Sequence, residues 1–266
     1  MVLLMGGIST AVVSSLSIIA FLGRFVGTFS VSLDTGNVGL TLSRDDAFTV
    51  PTSFLKTETL PEFQEYTYRD FSKIGDDQID SDATDINLGA TAYNDDGTIK
   101  NLNFFKYTFF VKNEGNIAAD YDLKVNITKN VPSDDGRYLD TLLRVLVYQN
   151  DADKENNHDF SVYAKRSETP NPTYGYEEGE TTYKEYISYS EPSKAIQHGD
   201  QFPGFAEMFE DANTIATIPV RNFQKDDAKR YTIVAWLEGE DQQAKGNPPE
   251  GGNLKLGVTI NAYENQ

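Results

Sequence analysis

The sequence predicts an all-β fold, an antiparallel β-sandwich of the jelly-roll kind, carried behind one N-terminal hydrophobic helix. Three observations predict it. Beyond Arg24 apolar and polar residues alternate with a period of two, turn-forming residues cut that pattern into eight or more short runs, and no repeating helix crossover separates the runs. Such alternation buries one face of a strand and wets the other. The 16 Phe and 15 Tyr suit half-buried, pleated surfaces, which agrees with that pattern.

The first element is the apolar helix. From Met1 to Gly23 no side chain is charged, and the run opens on Val2, Leu3 and Leu4 and closes on Ile18, Ile19, Ala20, Phe21 and Leu22. As a helix it measures about 33 Å at ~1.5 Å per residue, which matches a bilayer core. Residues 1–24 are therefore expected to be a transmembrane anchor or signal segment, touching membrane through residues 2–23. Ser9, Thr10, Ser14 and Ser15 dilute the hydrophobicity at tolerable cost, since their hydroxyls bond back to helix carbonyls. No Lys or Arg precedes the run and no small-x-small cleavage site stands out, so anchor and cleaved signal both stay open. Arg24 follows the run, where the positive-inside tendency alone would keep it in the cytoplasm. Long domains cross largely regardless of local charge, so the remainder is expected to be exported.

The strands follow in order. Val38, Leu40 and Leu42 alternate with Gly39, Thr41 and Ser43. Phe105, Tyr107, Phe109 and Val111 form the next apolar face, and after the turn signal Asn113-Glu114-Gly115-Asn116 comes another, Tyr121, Leu123, Val125 and Ile127. This pair is expected to form a hairpin. Further strands are expected at 142–148, 160–165, 185–189 and 215–222, with brief helical spacing at 137–143 and 204–209. Tyr231-Thr232-Ile233-Val234-Ala235-Trp236-Leu237 reads as the most central strand, and Leu254, Leu256, Val258, Ile260 and Ala262 as the last. The stretch from Gly246 to Gly252 is a turn between these two, where Pro and Gly set backbone geometry. Residues 76–96 and 169–182 read as long loops or insertions. Strands on both sides of them share one alternation style, so 25–266 is expected to be a single extracellular domain.

Charge and missing residues exclude several chemistries. A net charge of −18 argues against a nucleic-acid partner, which needs clustered cations, and against docking on anionic lipid heads. It is compatible with divalent cations. With no cysteine, disulfides, zinc-thiolate sites and Cys nucleophiles are impossible. The only histidines, His158 and His198, lie in no metal-binding spacing, and no nucleophile elbow, phosphate loop or dinucleotide turn occurs. An enzyme is not expected.

Acidic loops are the remaining candidate chemistry. Asp76, Asp77, Asp80, Asp82 and Asp85 place five carboxylates in ten residues, where a flexible loop could supply oxygens to calcium or simply face water. The run from Asn150 to Asn157 opens like a calcium loop, yet Asn156 stands where that loop needs Gly and Val162 where it needs Glu, so it reads as a hairpin turn. Trp236 with Tyr174, Tyr176, Tyr183, Tyr186 and Tyr189 could form a carbohydrate platform, although a Trp within an apolar strand reads first as core.

Some short motifs carry a family resemblance. Gly27-Thr28-Phe29-Ser30, Val38-Gly39-Leu40-Thr41-Leu42 and Phe109-Phe110-Val111-Lys112-Asn113-Glu114-Gly115, placed behind an apolar N-terminal segment, resemble the camelysin and TasA family of exported bacterial β-sandwich proteins. Trp236-Leu237-Glu238-Gly239-Glu240-Asp241 and Gly251-Gly252-Asn253-Leu254-Lys255-Leu256 resemble surface proteins of low-GC Gram-positive bacteria. The resemblance covers the N-terminal third and the last two strands. It implies a jelly-roll subunit of the cell surface or of matrix fibres, in which a strand after the export segment, here residues 25–33, completes a neighbour's sheet. Without cleavage that strand stays tethered to the membrane. The function expected is thus a non-enzymatic surface or matrix protein whose partners are itself or other surface proteins. The alternative is a calcium- or carbohydrate-binding module.

Overall fold

Along residues 119–131, Tyr121, Leu123, Val125 and Ile127 are buried while Asp122, Lys124 and Asn126 are half-exposed. The alternation in the sequence is thus the two faces of one strand. The computed structural model describes residues 24–25, 29–34, 38–57, 104–152, 160–166, 185–186, 205–239, 241, 244, 249 and 251–264. The apolar segment 1–23, the aspartates Asp76 to Asp85, both histidines and the loop 169–182 lie outside them. Within the described residues the strands are β1 (Arg24–Phe25), β2 (Ser30–Asp34), β3 (Leu40–Ser43), β4 (Phe54–Lys56), β5 (Phe105–Asn113), β6 (Ala119–Val131), β7 (Leu143–Asp151), β8 (Phe160–Ala164), β9 (Glu185–Tyr186), β10 (Phe205–Met208), β11 (Thr214–Phe223), β12 (Ala228–Leu237) and β13 (Asn253–Glu264). The fold is all-β.

The strands form two sheets. The first runs β11-β6-β13-β2-β4, with β1 also beside β13; the second runs β3-β5-β12-β7-β8-β10-β9. Both are mixed, because β1 and β2 lie parallel to β13 and β10 lies parallel to β8. The expectation of purely antiparallel sheets is corrected there: alternation reports which face of a strand is apolar and carries no record of strand direction.

One core holds side chains from both sheets. Val31, Leu123, Val125, Val258 and Ile260 of the first cluster with Phe105, Tyr107, Val145, Ile233 and Ala235 of the second. The ring of Phe29 packs 4.8 Å from Phe105 and 5.3 Å from Tyr107, and the hydroxyls of Tyr121 and Tyr231 share a hydrogen bond of 2.7 Å between the sheets. The second sheet is buried on both faces. On its other side Trp236, Phe104, Leu146, Tyr148, Val162 and Val234 form a smaller cluster, where the Trp236 indole N–H donates to Glu238 at 3.0 Å. This explains why Tyr231 to Leu237 is apolar without a break: a strand covered on both sides has no wet face to mark.

The expected hairpin of residues 105–111 with 121–127 does not form. β5 pairs with β3 and β12, whereas β6 pairs with β11 and β13, so the connection after Asn113 carries the chain from one sheet to the other. Both strands turn an apolar face to the shared core, and two facing strands have the same alternation as two paired ones. The corner is built for the crossing. Asn113 donates its amide to the carbonyls of Ile117 (2.9 Å) and Phe223 (2.8 Å) and accepts the N–H of Gly115 (2.9 Å). A Cβ on Gly39 would come within 2.7 Å of the Gly115 backbone, so only a residue without a side chain fits.

The helical spacing at 204–209 is also overturned: Phe205 to Met208 form β10, paired to both β8 and β9, and sheet partners outweigh so short a pattern. At 137–143 the helix shrinks to a single 3-10 turn, Leu139–Thr141. The strands expected to flank the turn at Asn150 to Asn157 pair antiparallel as β7 and β8, Tyr148 opposite Phe160, while residues 153–159 of the turn itself lie outside the described residues.

Candidate functional site

The second strand after the apolar segment, β2, sits in a slot of the first sheet. In β2, Val31 points into the core beside Phe29, and both are almost fully buried, while Ser30 and Ser32 are half-exposed on the outer face. On one side β13 runs parallel to it, with Val31 opposite Val258, Ser32 opposite Thr259 and Leu33 opposite Ile260. On the other side β4 runs antiparallel, with Val31 opposite Leu55. Backbone bonds extend the fit beyond the strand ends: Thr57 N–H donates to the Phe29 carbonyl and Leu33 N–H to the Ser53 carbonyl, each at 3.0 Å. Phe29 N–H donates to the Thr57 hydroxyl at 3.0 Å.

β1 continues the same edge toward the apolar segment, with Arg24 opposite Asn253 and Phe25 opposite Leu254. Six steps from Phe25 to Val31 are matched by four from Leu254 to Val258. Gly257 lies against this strand; a Cβ there would stand 3.4 Å from the Ser30 carbonyl oxygen.

The outer wall of the slot is fastened to both sheets. Thr52, two residues before β4, exchanges two backbone hydrogen bonds with Leu42 of β3 at 2.8 and 2.9 Å. The loop before it is held by Asp45, whose carboxylate accepts the Thr49 N–H (3.0 Å) and the hydroxyls of Thr49 (2.8 Å) and Ser43 (3.1 Å). The backbone bond from Thr49, more than any other contact, holds the Asp45 carboxyl below its usual range.

The opposite edge of this sheet, β11, is guarded against added strands. Glu210 accepts the Thr217 N–H at 2.6 Å and its hydroxyl at 2.8 Å, and Pro219 has no N–H to offer. Sequence reading missed this guard; Pro219 within an otherwise regular strand was the signal.

The other candidate residues separate. Asp76, Asp77, Asp80, Asp82 and Asp85, with His158 and His198, lie outside the described residues, as do Tyr174, Tyr176, Tyr183 and Tyr189. Among the described residues no group of three His, Cys, Asp or Glu could hold a metal. Asp151, from the acidic turn, pairs with Lys229 at 2.7 Å. A cleft of about 290 Å³ opens there, lined by Asp151, Arg221, Asn222, Phe223, Asp226 and Lys229 among others. Both its cations are engaged: Arg221 reaches Asp122 at 2.8 Å and Lys229 holds Asp151 at 2.7 Å. Trp236 is fully buried, so it is core. Among the described residues no helix is long and apolar enough to cross a membrane. No family model, curated protein or solved structure matches this chain.

Proposed function

We propose that this chain is a non-enzymatic, exported surface or matrix protein of the camelysin and TasA kind, a jelly-roll-like sandwich behind an apolar segment at 1–24, and that copies associate by exchanging β2. One observation carries the reading. The second strand after the apolar segment, β2, is an insert between β13 and β4, closed on both sides by backbone hydrogen bonds and keyed inward by Phe29 and Val31. A neighbour's β2 would make the same contacts, so exchange costs little enthalpy and is set by concentration and by strain in the connection. The guarded β11 edge disfavours simple edge-to-edge addition.

The test uses the absence of native cysteine. Ser32→Cys with Thr259→Cys places one thiol on β2 and its register partner on β13. Oxidation of concentrated, associated protein should give a ladder of disulfide-linked oligomers on a non-reducing gel. If the associated protein yields only internally bridged monomers, β2 is not exchanged and the reading fails.

A further inference from the structure

The two most exposed large hydrophobic side chains among the described residues stand four positions apart, Val50 at 74 % and Phe54 at 52 %. Ala47 and Pro51 beside them are exposed as well. Scattered apolar residues are ordinary on a surface, whereas a group of them on one short, fixed segment points to a contact. The segment does not leave them outside by looseness. Asp45 fastens its loop through Thr49, and the Thr52 backbone is bonded to Leu42. Phe48 holds a left-handed backbone with a φ of 52°, rare for a bulky residue, and lays its ring 6.3 Å from Phe110 with the Lys112 ammonium 5.7 Å away. One aromatic is thus turned in under strain, while Val50 and Phe54 stay out.

Backbone pairing is closed to whatever meets them. Ser53 and Thr57 turn backbone groups to the β2 side, so those of Phe54 point away from it. The Thr52 hydroxyl accepts the Phe54 N–H at 3.2 Å and donates to the Phe54 carbonyl at 3.1 Å. An added strand would find both groups taken, so contact at this rim is made by side chains. Charge admits a second copy. Residues 38–57 carry Arg44, Asp45, Asp46 and Lys56, two charges of each sign, and the bordering Asp34 of β2 and Lys112 of β5 add one of each. In a molecule of net charge −18 this is ground on which two copies approach without local like-charge repulsion.

We infer that Val50, Pro51 and Phe54 form the rim on which a second copy docks, against its own Val50, Pro51 and Phe54, when β2 is exchanged. The inference rests on the exchange reading. β2 leaves its slot beside this rim: Ser32 is opposite Phe54, and the Leu33 N–H reaches the Ser53 carbonyl. After Asp34 the chain has only Thr35, Gly36 and Asn37, which lie outside the described residues, before Val38 leads into β3. Four steps at ~3.6 Å span at most about 14 Å, so a copy that lends β2 keeps its body within that reach of the receiving rim. Its own rim is joined to its β3 through Thr52 and Leu42, so it arrives on the same side. Apolar side chains that water covers in the single copy then cover each other.

The test keeps the full chain, which has no cysteine of its own. Val50→Cys should link copy to copy through a short bismaleimide, and Val50→Ser with Phe54→Ser should weaken self-association about ten-fold. Both positions are exposed, so the urea midpoint of the dilute chain should stay unchanged. The Ser32→Cys, Thr259→Cys pair reads exchange separately. If that pair bridges copies, yet Val50→Cys gives no cross-link and the double serine variant associates as before, the rim is overturned and exchange stands. If the pair bridges only within monomers, yet Val50→Cys still cross-links and the serine variant still weakens association, exchange is overturned and the rim remains a contact between copies. A dye on Val50→Cys shielded by phosphatidylcholine vesicles, in chains too dilute to associate, would assign the rim to lipid and overturn the proposal.

Discussion

The hydroxyls of Tyr121 and Tyr231 meet in the core with no solvent around either ring. Burial raises both pKa values, Tyr121 well above the usual tyrosine value, because a phenolate there would lie in low dielectric. The sign of the linkage follows. In the unfolded chain both ionise near pH 10, while the folded chain resists, so their contribution is complete below about pH 10 and is lost as pH rises through the raised values. Urea melts at pH 8 and pH 11 should therefore show a loss of stability that shrinks when both residues are changed to Phe. Changing only one should cost about 1–3 kcal/mol at pH 8, since the other hydroxyl is left without its partner. The core status of Trp236 was legible from its apolar neighbours. Its place in a second cluster on the far side of the sheet was not, because an unbroken apolar run reports burial and not which layer supplies it.

At the scale of elements, strand existence was legible wherever one face is wet. β6 and β13 show this, with polar residues alternating along both. Pairing was less legible. The turn signal after Asn113 is real, yet it bends the chain between sheets, and the reason lies in the packing of Gly39 on Gly115 together with the three hydrogen bonds of the Asn113 amide. Gly39→Ala should cost about 1–3 kcal/mol in thermal or urea unfolding, because the added methyl meets backbone that has nowhere to move. A neutral result would mean that the corner is looser than its contacts imply. The five aspartates remain a compositional reading, since carboxylate spacing in a loop does not specify which oxygens converge.

For the whole molecule, composition alone announced an acidic surface, and −18 is enough for copies to repel one another. Self-association through β2 should therefore strengthen with ionic strength at fixed protein concentration, as light scattering would measure. Association that falls with salt would indicate attraction between unlike patches and would count against exchange opposed by the overall charge. The distribution of charge was hidden in the sequence. Lys129 and Lys255 are 126 positions apart, and only the register of β6 on β13 makes them neighbours.

The parallel run of β2 beside β13 has a mechanical meaning. A pull on the apolar segment is directed along the axis of β1 and β2, so the hydrogen bonds to β13 and β4 bear the load together instead of parting one after another. Rupture under such shear is governed by the unfolding barrier of the slot as a whole. A copy held through this strand would resist tension along its tether more strongly than a pull that peels β4 away from the side, and the fastening of Thr52 to Leu42 would carry part of that force into the second sheet.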